Sequence, residues 1–151
     1  MVELNRSKPR VVFLSTYPRR LVALILSAAP ESLEVRYVSN RLSEMEKVLL
    51  CQGAHHALVS PSDLTSGLVQ GCPRLKLVQL LTADYSRINL AELAGSGLVV
   101  AHNPQLQPSD GGPEATGGEV SCDQWLAAAR YAFGNILRVA NGQMPEGVVY
   151  P

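Results

Sequence analysis

The sequence predicts one doubly wound α/β domain built on a five-stranded parallel sheet. Three observations carry this. Short apolar runs rich in β-branched residues alternate with segments of helical periodicity between residues 10 and 101. The strand-length runs are apolar nearly throughout instead of alternating with polar residues, as expected where helices cover both faces of a sheet. The chain has 151 residues, 46% of them hydrophobic and 17% charged, which suits one packed domain.

The elements follow in order. Arg10 to Ser15 is strand one, stopped at Thr16-Tyr17-Pro18. Leu21, Val22, Ile25 and Leu26 share one face of a helix from Arg19 to Ala29, which Pro30 ends. Leu33 to Val38 is strand two. Ser43 with Glu46 three residues on has capping-box spacing and starts a helix that reaches Cys51, before Gly53. Ala57 to Ser60 is strand three, and Pro61-Ser62-Asp63 opens a short helix to Val69. Lys76 to Leu81 is strand four, Leu90 to Ala94 a helical turn, and Leu98 to Ala101 strand five. From Asn103 to Gly118 the chain turns to Pro, Gly, Ser, Gln and Asp without apolar periodicity, as a linker or long loop does. The best helix runs from Cys122 to Asn141, with Trp125, Leu126, Ala129, Ala132, Phe133, Ile136, Leu137 and Ala140 in one stripe and Gly142 as its stop. It is expected to pack on the sheet.

Thirteen basic and thirteen acidic residues cancel, so no basic field favours nucleic acid or an anionic membrane. The longest apolar run, Leu21 to Leu26, is far below the roughly 18 residues of a spanning helix, and no signal segment is read at the start. A cytoplasmic protein is expected. Cys51, Cys72 and Cys122 are odd in number and far apart in sequence, so idle or buried thiols are expected instead of a zinc site or a disulfide framework.

In sheets of this kind ligands bind beyond the carboxyl ends of the strands. The first such loop, Ser15 to Arg20, holds no glycine and cannot bring backbone amides onto a phosphate, so a bound dinucleotide is not expected. Nor does strand one end in the glycine-bearing loop of flavodoxins or the acidic pair of receiver domains. His55 and His56, ahead of strand three, point apart on an extended segment and are read as an exposed loop pair, not metal ligands. His102 is better placed but has no titratable neighbour in sequence. No Gly-x-Ser-x-Gly turn and no cysteine with an evident base marks a nucleophile. Asp63 and Glu92 read as helix caps or first-turn acids, whereas Asp84 lies in a polar turn at a strand end where backbone amides could receive an anion.

The stretch from Cys72 to Pro104 contains Pro73-Arg-Leu-Lys-Leu-Val-Gln79, a small-residue turn, Ile88-Asn-Leu90 and Gly97-Leu-Val-Val-Ala-His-Asn103. In that order these features resemble the outer, substrate-binding domain of the NAD-dependent D-2-hydroxyacid dehydrogenases. The segment Ala132 to Gly142 followed by Val148-Val149 is similar to that family's terminal helix and tail.

The resemblance implies a flavodoxin-like three-layer sandwich with strand order 2-1-3-4-5 and the C-terminal helix packed on it. In that family a Rossmann nucleotide domain is inserted into this one. Here the linker-like residues 104–118 stand in its place, too few for a βαβ unit. Thr116-Gly117-Gly118 resembles the segment after the family's catalytic histidine, but Glu114 and Ala115 precede it.

The resemblance therefore implies a single domain over residues 1–151 with no catalytic residue, no nucleotide cofactor and no metal, inactive as a dehydrogenase by itself. What it retains is the turn whose backbone amides bind the substrate carboxylate: Thr82, Ala83, Asp84 and Tyr85, with Asn103. Asp84 replaces the usual glycine and Ser86 the usual aspartate, which sets a carboxylate against the anion. Weak binding of small 2-oxo or 2-hydroxy acids is expected, from a monomer made sticky where Leu80 and Leu81 lose their cover. The alternative is a non-catalytic binding or regulatory module that presents Tyr17, Arg19, Arg20 and the Asp84 turn to a partner protein.

Overall fold

The computed structural model describes residues 8–60, 64–86, 88–93, 96–106 and 120–150. The elements are β1 (Arg10–Ser15), α1 (Arg19–Leu26), β2 (Glu34–Ser39), α2 (Glu44–Cys51), β3 (His56–Val59), α3 (Ser66–Gln70), β4 (Leu77–Leu80), a 3-10 turn (Leu90–Leu93), β5 (Val99–Ala101), α4 (Cys122–Ala140) and β6 (Val148–Tyr150). They form one sheet in the order β2-β1-β3-β4-β5-β6. β1 to β5 are parallel, in the order expected of them.

The sheet separates two apolar layers because successive strand residues face opposite sides. Val11 and Phe13 of β1 pack with Ile25 of α1 and Ala132, Phe133 and Ile136 of α4. Val12 and Leu14 pack on the other side with Cys51 of α2 and Leu68 of α3. Both faces are covered, which is why β3 and β4 are buried along their whole length.

Local chemistry sets the helix starts. The Ser43 hydroxyl accepts from the Glu46 amide at 3.2 Å and the Glu46 carboxylate accepts from the Ser43 amide at 3.3 Å, closing the expected capping box. Ser121 and Gln124 form a second box at the start of α4. The helix expected to open at Pro61 begins instead at Ser66, capped by the Thr65 hydroxyl, because Leu64 is held in an extended bridge to Ile88. Residues 61–63 lie outside the described residues. Helix α1 stops at Leu26 instead of Ala29, its end closed by the Ser27 amide on the Ala23 carbonyl.

The sheet has six strands, not five, and is mixed, not purely parallel. β6 runs antiparallel to β5, pairing Ala101 with Val148 and Val100 with Tyr150 around an irregularity. Three residues are too short a run to show a strand period, yet they cover the edge that β5 would otherwise expose. Gly147 makes the approach possible. Its φ is +69°, its carbonyl accepts the His102 amide at 2.9 Å, and a Cβ there would fall 2.5 Å from the His102 carbonyl oxygen. Gly147→Ala is expected to cost about 2 kcal/mol and loosen β6, read as a lower urea midpoint and faster amide exchange at His102, whose amide donates to the Gly147 carbonyl.

Two further expectations are corrected. Leu80 and Leu81 are fully buried, one in each apolar layer, so no sticky surface arises there. The exposed large apolar side chains among the described residues are Met45, Leu49 and Leu50 around α2, with Tyr85 and Met144. On α4 the buried stripe is turned toward Ala128 and Asn135, and Ala140 is exposed. No helix among the described residues is long and apolar enough to cross a membrane.

Candidate functional site

Parallel pairing brings the carboxyl ends of β1, β3, β4 and β5 to one edge of the sheet. At the β1 and β3 end, Ser15 and Ser60 are buried polar side chains. The Tyr17 amide donates to Ser15 Oγ at 2.7 Å and the Tyr17 hydroxyl pairs with Ser60 Oγ. The Tyr17 ring meets Trp125 of α4 edge-on at 5.2 Å. Tyr17 is thus a buried plug and not the presented side chain of the alternative reading, because its hydroxyl finds a partner inside the fold. Arg19 and Arg20 are exposed.

At the β4 and β5 end the structure brings together all five expected residues. Thr82 and Asn103 are both buried, and the Asn103 amide donates to the Thr82 carbonyl at 3.2 Å. Asn103 Oδ1 accepts from the Gln105 amide at 3.1 Å, turning the chain so that the Leu106 carbonyl accepts the Ala83 amide at 2.8 Å. Leu106 is itself buried against the α1 and α4 layer, so the first residues of the 104–118 segment are anchored on the domain. Residues 107–118 are outside the described residues, with Glu114, Ala115 and the Thr116-Gly117-Gly118 motif among them.

Asp84 is drawn into its own turn. Its Oδ1 accepts from the Ser86 amide at 2.9 Å and from the Ser86 hydroxyl at 2.6 Å, and its amide lies 3.4 Å from Thr82 Oγ1. Tyr85 is exposed to 39% and stacks edge-on against His102 at 5.3 Å. His102 Nδ1 stands 2.9 Å from the Ala83 carbonyl. A carbonyl only accepts, so this contact places a proton on Nδ1. Sequence reasoning sets His102 aside for want of a titratable neighbour, and the fold brings one, Tyr85, against its ring. A small cleft of about 130 Å³ adjoins this turn, between Asn103, Gln105 and Leu106 on one side and Gln124, Ala127 and Ala128 of α4 on the other. A larger groove of about 310 Å³ lies at the opposite end of the sheet, beside Arg10, Arg36 and Gly53, away from the strand ends that carry the polar cluster.

Chemically, the β4 and β5 end offers amide and hydroxyl hydrogen bonds, one exposed aromatic ring, one imidazole and one carboxylate. An anion can be recognised there only in competition with two internal acceptors. The Leu106 carbonyl already takes the Ala83 amide, and the Asp84 carboxylate already takes the Ser86 donors. Glu92, expected as a helix cap or first-turn acid, lies in the first turn of the 3-10 segment, where its carboxylate accepts from Asn89 Nδ2 at 3.0 Å. Asp63 falls outside the described residues.

The histidine pair is not an exposed loop. His56 begins β3 and is 2% exposed, while His55 accepts the Arg10 amide on Nδ1 at 2.9 Å. The strand starts earlier than its apolar run because residue 56 pairs with Val11 and Leu77 in the sheet. Burial, with the neighbouring charges of His55 and Lys76, pushes His56 down to about 4. Burial and the charges of Lys76, Arg74 and Arg10 lower His55 as well. Among the described residues no three His, Cys, Asp or Glu side chains gather as a metal site.

No protein-family model matches the chain, and no curated protein matches it. Solved structures do. The NAD+-bound 3-phosphoglycerate dehydrogenase of Entamoeba histolytica aligns with a TM-score of 0.54 at 15% identity, over 65% of this chain and 33% of its own. The D-lactate dehydrogenase of Escherichia coli gives 0.52 at 13% identity, over 62% and 31%. The NAD-complexed D-isomer-specific 2-hydroxyacid dehydrogenase of Lactobacillus delbrueckii ssp. bulgaricus gives 0.53 at 17% identity, over 65% and 31%. The likeness is one of fold. This chain spans about a third of the length of each of these dehydrogenases, so what is shared is part of their architecture.

Proposed function

We propose that this chain is the substrate-binding type of domain of a D-2-hydroxyacid dehydrogenase without the nucleotide domain, and that it has no dehydrogenase activity alone. The observation that carries this reading is the gathering of Thr82, Ala83, Asp84, Tyr85 and Asn103 at the β4 and β5 strand ends, on a fold shared with part of those enzymes. A hydride donor needs a site that brings backbone amides onto a pyrophosphate, and the glycine-free loop after β1 does not supply one. The parent reaction is the NAD(P)-dependent interconversion of 2-oxo acids and D-2-hydroxy acids. In this chain the ligand is a small acid, held weakly by a monomeric cytoplasmic protein, with no role for metal, nucleic acid or membrane.

The bound carboxylate would take the Ala83 and Asp84 amides, displacing the Leu106 carbonyl, with the acid's remaining atoms toward the Asn103 cleft. The opposing charge is Asp84. Replacing it by glycine removes a like charge within a few ångströms of the anion, worth roughly ten-fold in affinity. An amide NMR titration with glyoxylate is expected to show Asp84→Gly binding about ten-fold tighter than the unaltered chain. Equal affinities would place the acid elsewhere.

The second reading is a non-catalytic binding or regulatory module of the same fold. It draws its support from the Ala83 amide, which is satisfied by the Leu106 carbonyl at 2.8 Å and needs no ligand. The exposed Arg19 and Arg20 and the Tyr85 ring would then face a partner protein. The same titration separates the two readings, since a docking surface does not respond to small 2-oxo acids.

A further inference from the structure

Helices α2 and α3 meet along a seam that ends in two thiols. Glu44, Val48 and Cys51 are spaced so as to fall on one face of α2. The Thr65 hydroxyl, at the start of α3, donates to the Glu44 carboxylate. Gly71, at the end of α3, packs so closely that a Cβ there would stand 2.7 Å from Val48 Cγ1. With no side chain at Gly71 the two helices close down, and the next residue, Cys72, enters the same buried apolar cluster as Cys51. Both cysteines are free and buried, at 1% and 2% exposure. Both line one apolar void of about 10 Å³ together with Val12, Leu14, Leu64 and Leu68. Two buried free thiols on one void, with spare volume beside them and no polar neighbour among the described residues that line it, offer a setting in which a disulfide can form.

We propose that Cys51 and Cys72 form a redox-active dithiol that hydrogen peroxide oxidises to an intramolecular disulfide, stapling α2 to α3. Cys72 is the first nucleophile. The Cys51 thiol beside it lowers Cys72 toward its thiolate, while Cys72 and burial raise Cys51. The Cys72 thiolate attacks one peroxide oxygen, an S–O bond forms, the O–O bond breaks, and the departing hydroxide leaves as water with a proton from solvent. Cys72 sulfur is thereby oxidised to the sulfenic acid and the peroxide reduced. The Cys51 sulfur then attacks the Cys72 sulfur, an S–S bond forms, and the hydroxyl leaves as water with the Cys51 proton. Two thiols and one peroxide yield one disulfide and two waters. Peroxide enters by local opening of α3, which is only 5 residues long and so among the cheaper elements to open.

The test uses the full chain carrying Cys122→Ser, which removes the exposed thiol and with it intermolecular pairing. After hydrogen peroxide, the expected product is a monomer lighter by two hydrogens, with a cross-linked peptide joining Cys51 and Cys72. Closing a loop of roughly 20 residues is expected to raise the Tm by about 6–12 °C, and dithiothreitol to reverse it. A Cys72→Ala chain in the same background is expected to show no peroxide-dependent rise. Two results overturn the proposal: both thiols still titrating in denaturant after peroxide, or added oxygen on either cysteine without the cross-link.

Discussion

Replacing Asn135 by alanine is expected to destabilise the protein by about 3 kcal/mol. Asn135 is 3% exposed on α4 and uses both ends of its amide. Its Nδ2 donates to Gln79 Oε1 at 2.9 Å and to the Glu146 carbonyl at 2.8 Å, and its Oδ1 accepts the Glu146 amide at 2.9 Å. Gln79 is fully buried in β4, and its Nε2 donates to the Leu80 carbonyl at 3.0 Å. Asn135 therefore ties α4 to the middle of the sheet and to the turn that leads into β6. Its removal strands three buried or half-buried polar groups at once, each costing of order 1 kcal/mol or more. Urea denaturation is the measurement. The double variant Asn135→Leu with Gln79→Leu is expected to lose less than the sum of the single losses, because Gln79 no longer leaves an amide unpaired. Strict additivity would mean that the two amides do not work as a pair.

The second large effect is on acid stability. His56 is 2% exposed, its Nδ1 has no hydrogen-bond partner among the described residues, and burial pushes it down to about 4. In the unfolded chain a histidine takes up its proton near 6.5. The unfolded state thus binds the proton first as pH falls. The stability associated with neutral His56 is complete above about 6.5 and is lost progressively as pH falls toward 4, about 3 kcal/mol in all. His56→Leu, of similar volume, removes both the titration and the unpaired nitrogen. It is expected to match or exceed the parent at neutral pH and to be about 2 kcal/mol more stable than the parent near pH 5. Denaturant midpoints of the two chains from pH 4 to 7 give the comparison. Parallel pH profiles would show that His56 is not the group responsible.

Both effects come from buried polar side chains, and these are where the sequence is least legible. The strands and helices could be read because their apolar spacing is local: Val11 to Leu14 and the α4 stripe state their own burial. Gln79 and Asn135 find each other across 56 positions, and nothing in either segment marks a partner. Tyr17 looks like a loop residue until Ser60 and Trp125 arrive beside it. Cys51 and Cys72 are distant in sequence and share one void in the fold for a steric reason, the bare backbone of Gly71 against Val48. Leu80 and Leu81, read as a surface left uncovered, lie one in each core layer because successive strand residues face opposite ways. The candidate site is an intermediate case. Thr82 to Tyr85 and Asn103 were marked by an ordered motif, and the fold does gather them. The closing of the Ala83 amide by the Leu106 carbonyl depends on how the chain turns after Asn103, which composition alone does not state.

One experiment tests most directly the proposed substrate-type domain without a nucleotide site. The full chain is titrated with NADH, then with glyoxylate and hydroxypyruvate, by amide NMR, and the same samples are assayed for NADH oxidation by absorbance. The account predicts no saturable response to NADH, no turnover, and acid-dependent shifts centred on Thr82 to Tyr85 and Asn103. Saturable NADH binding accompanied by turnover of either acid would contradict it.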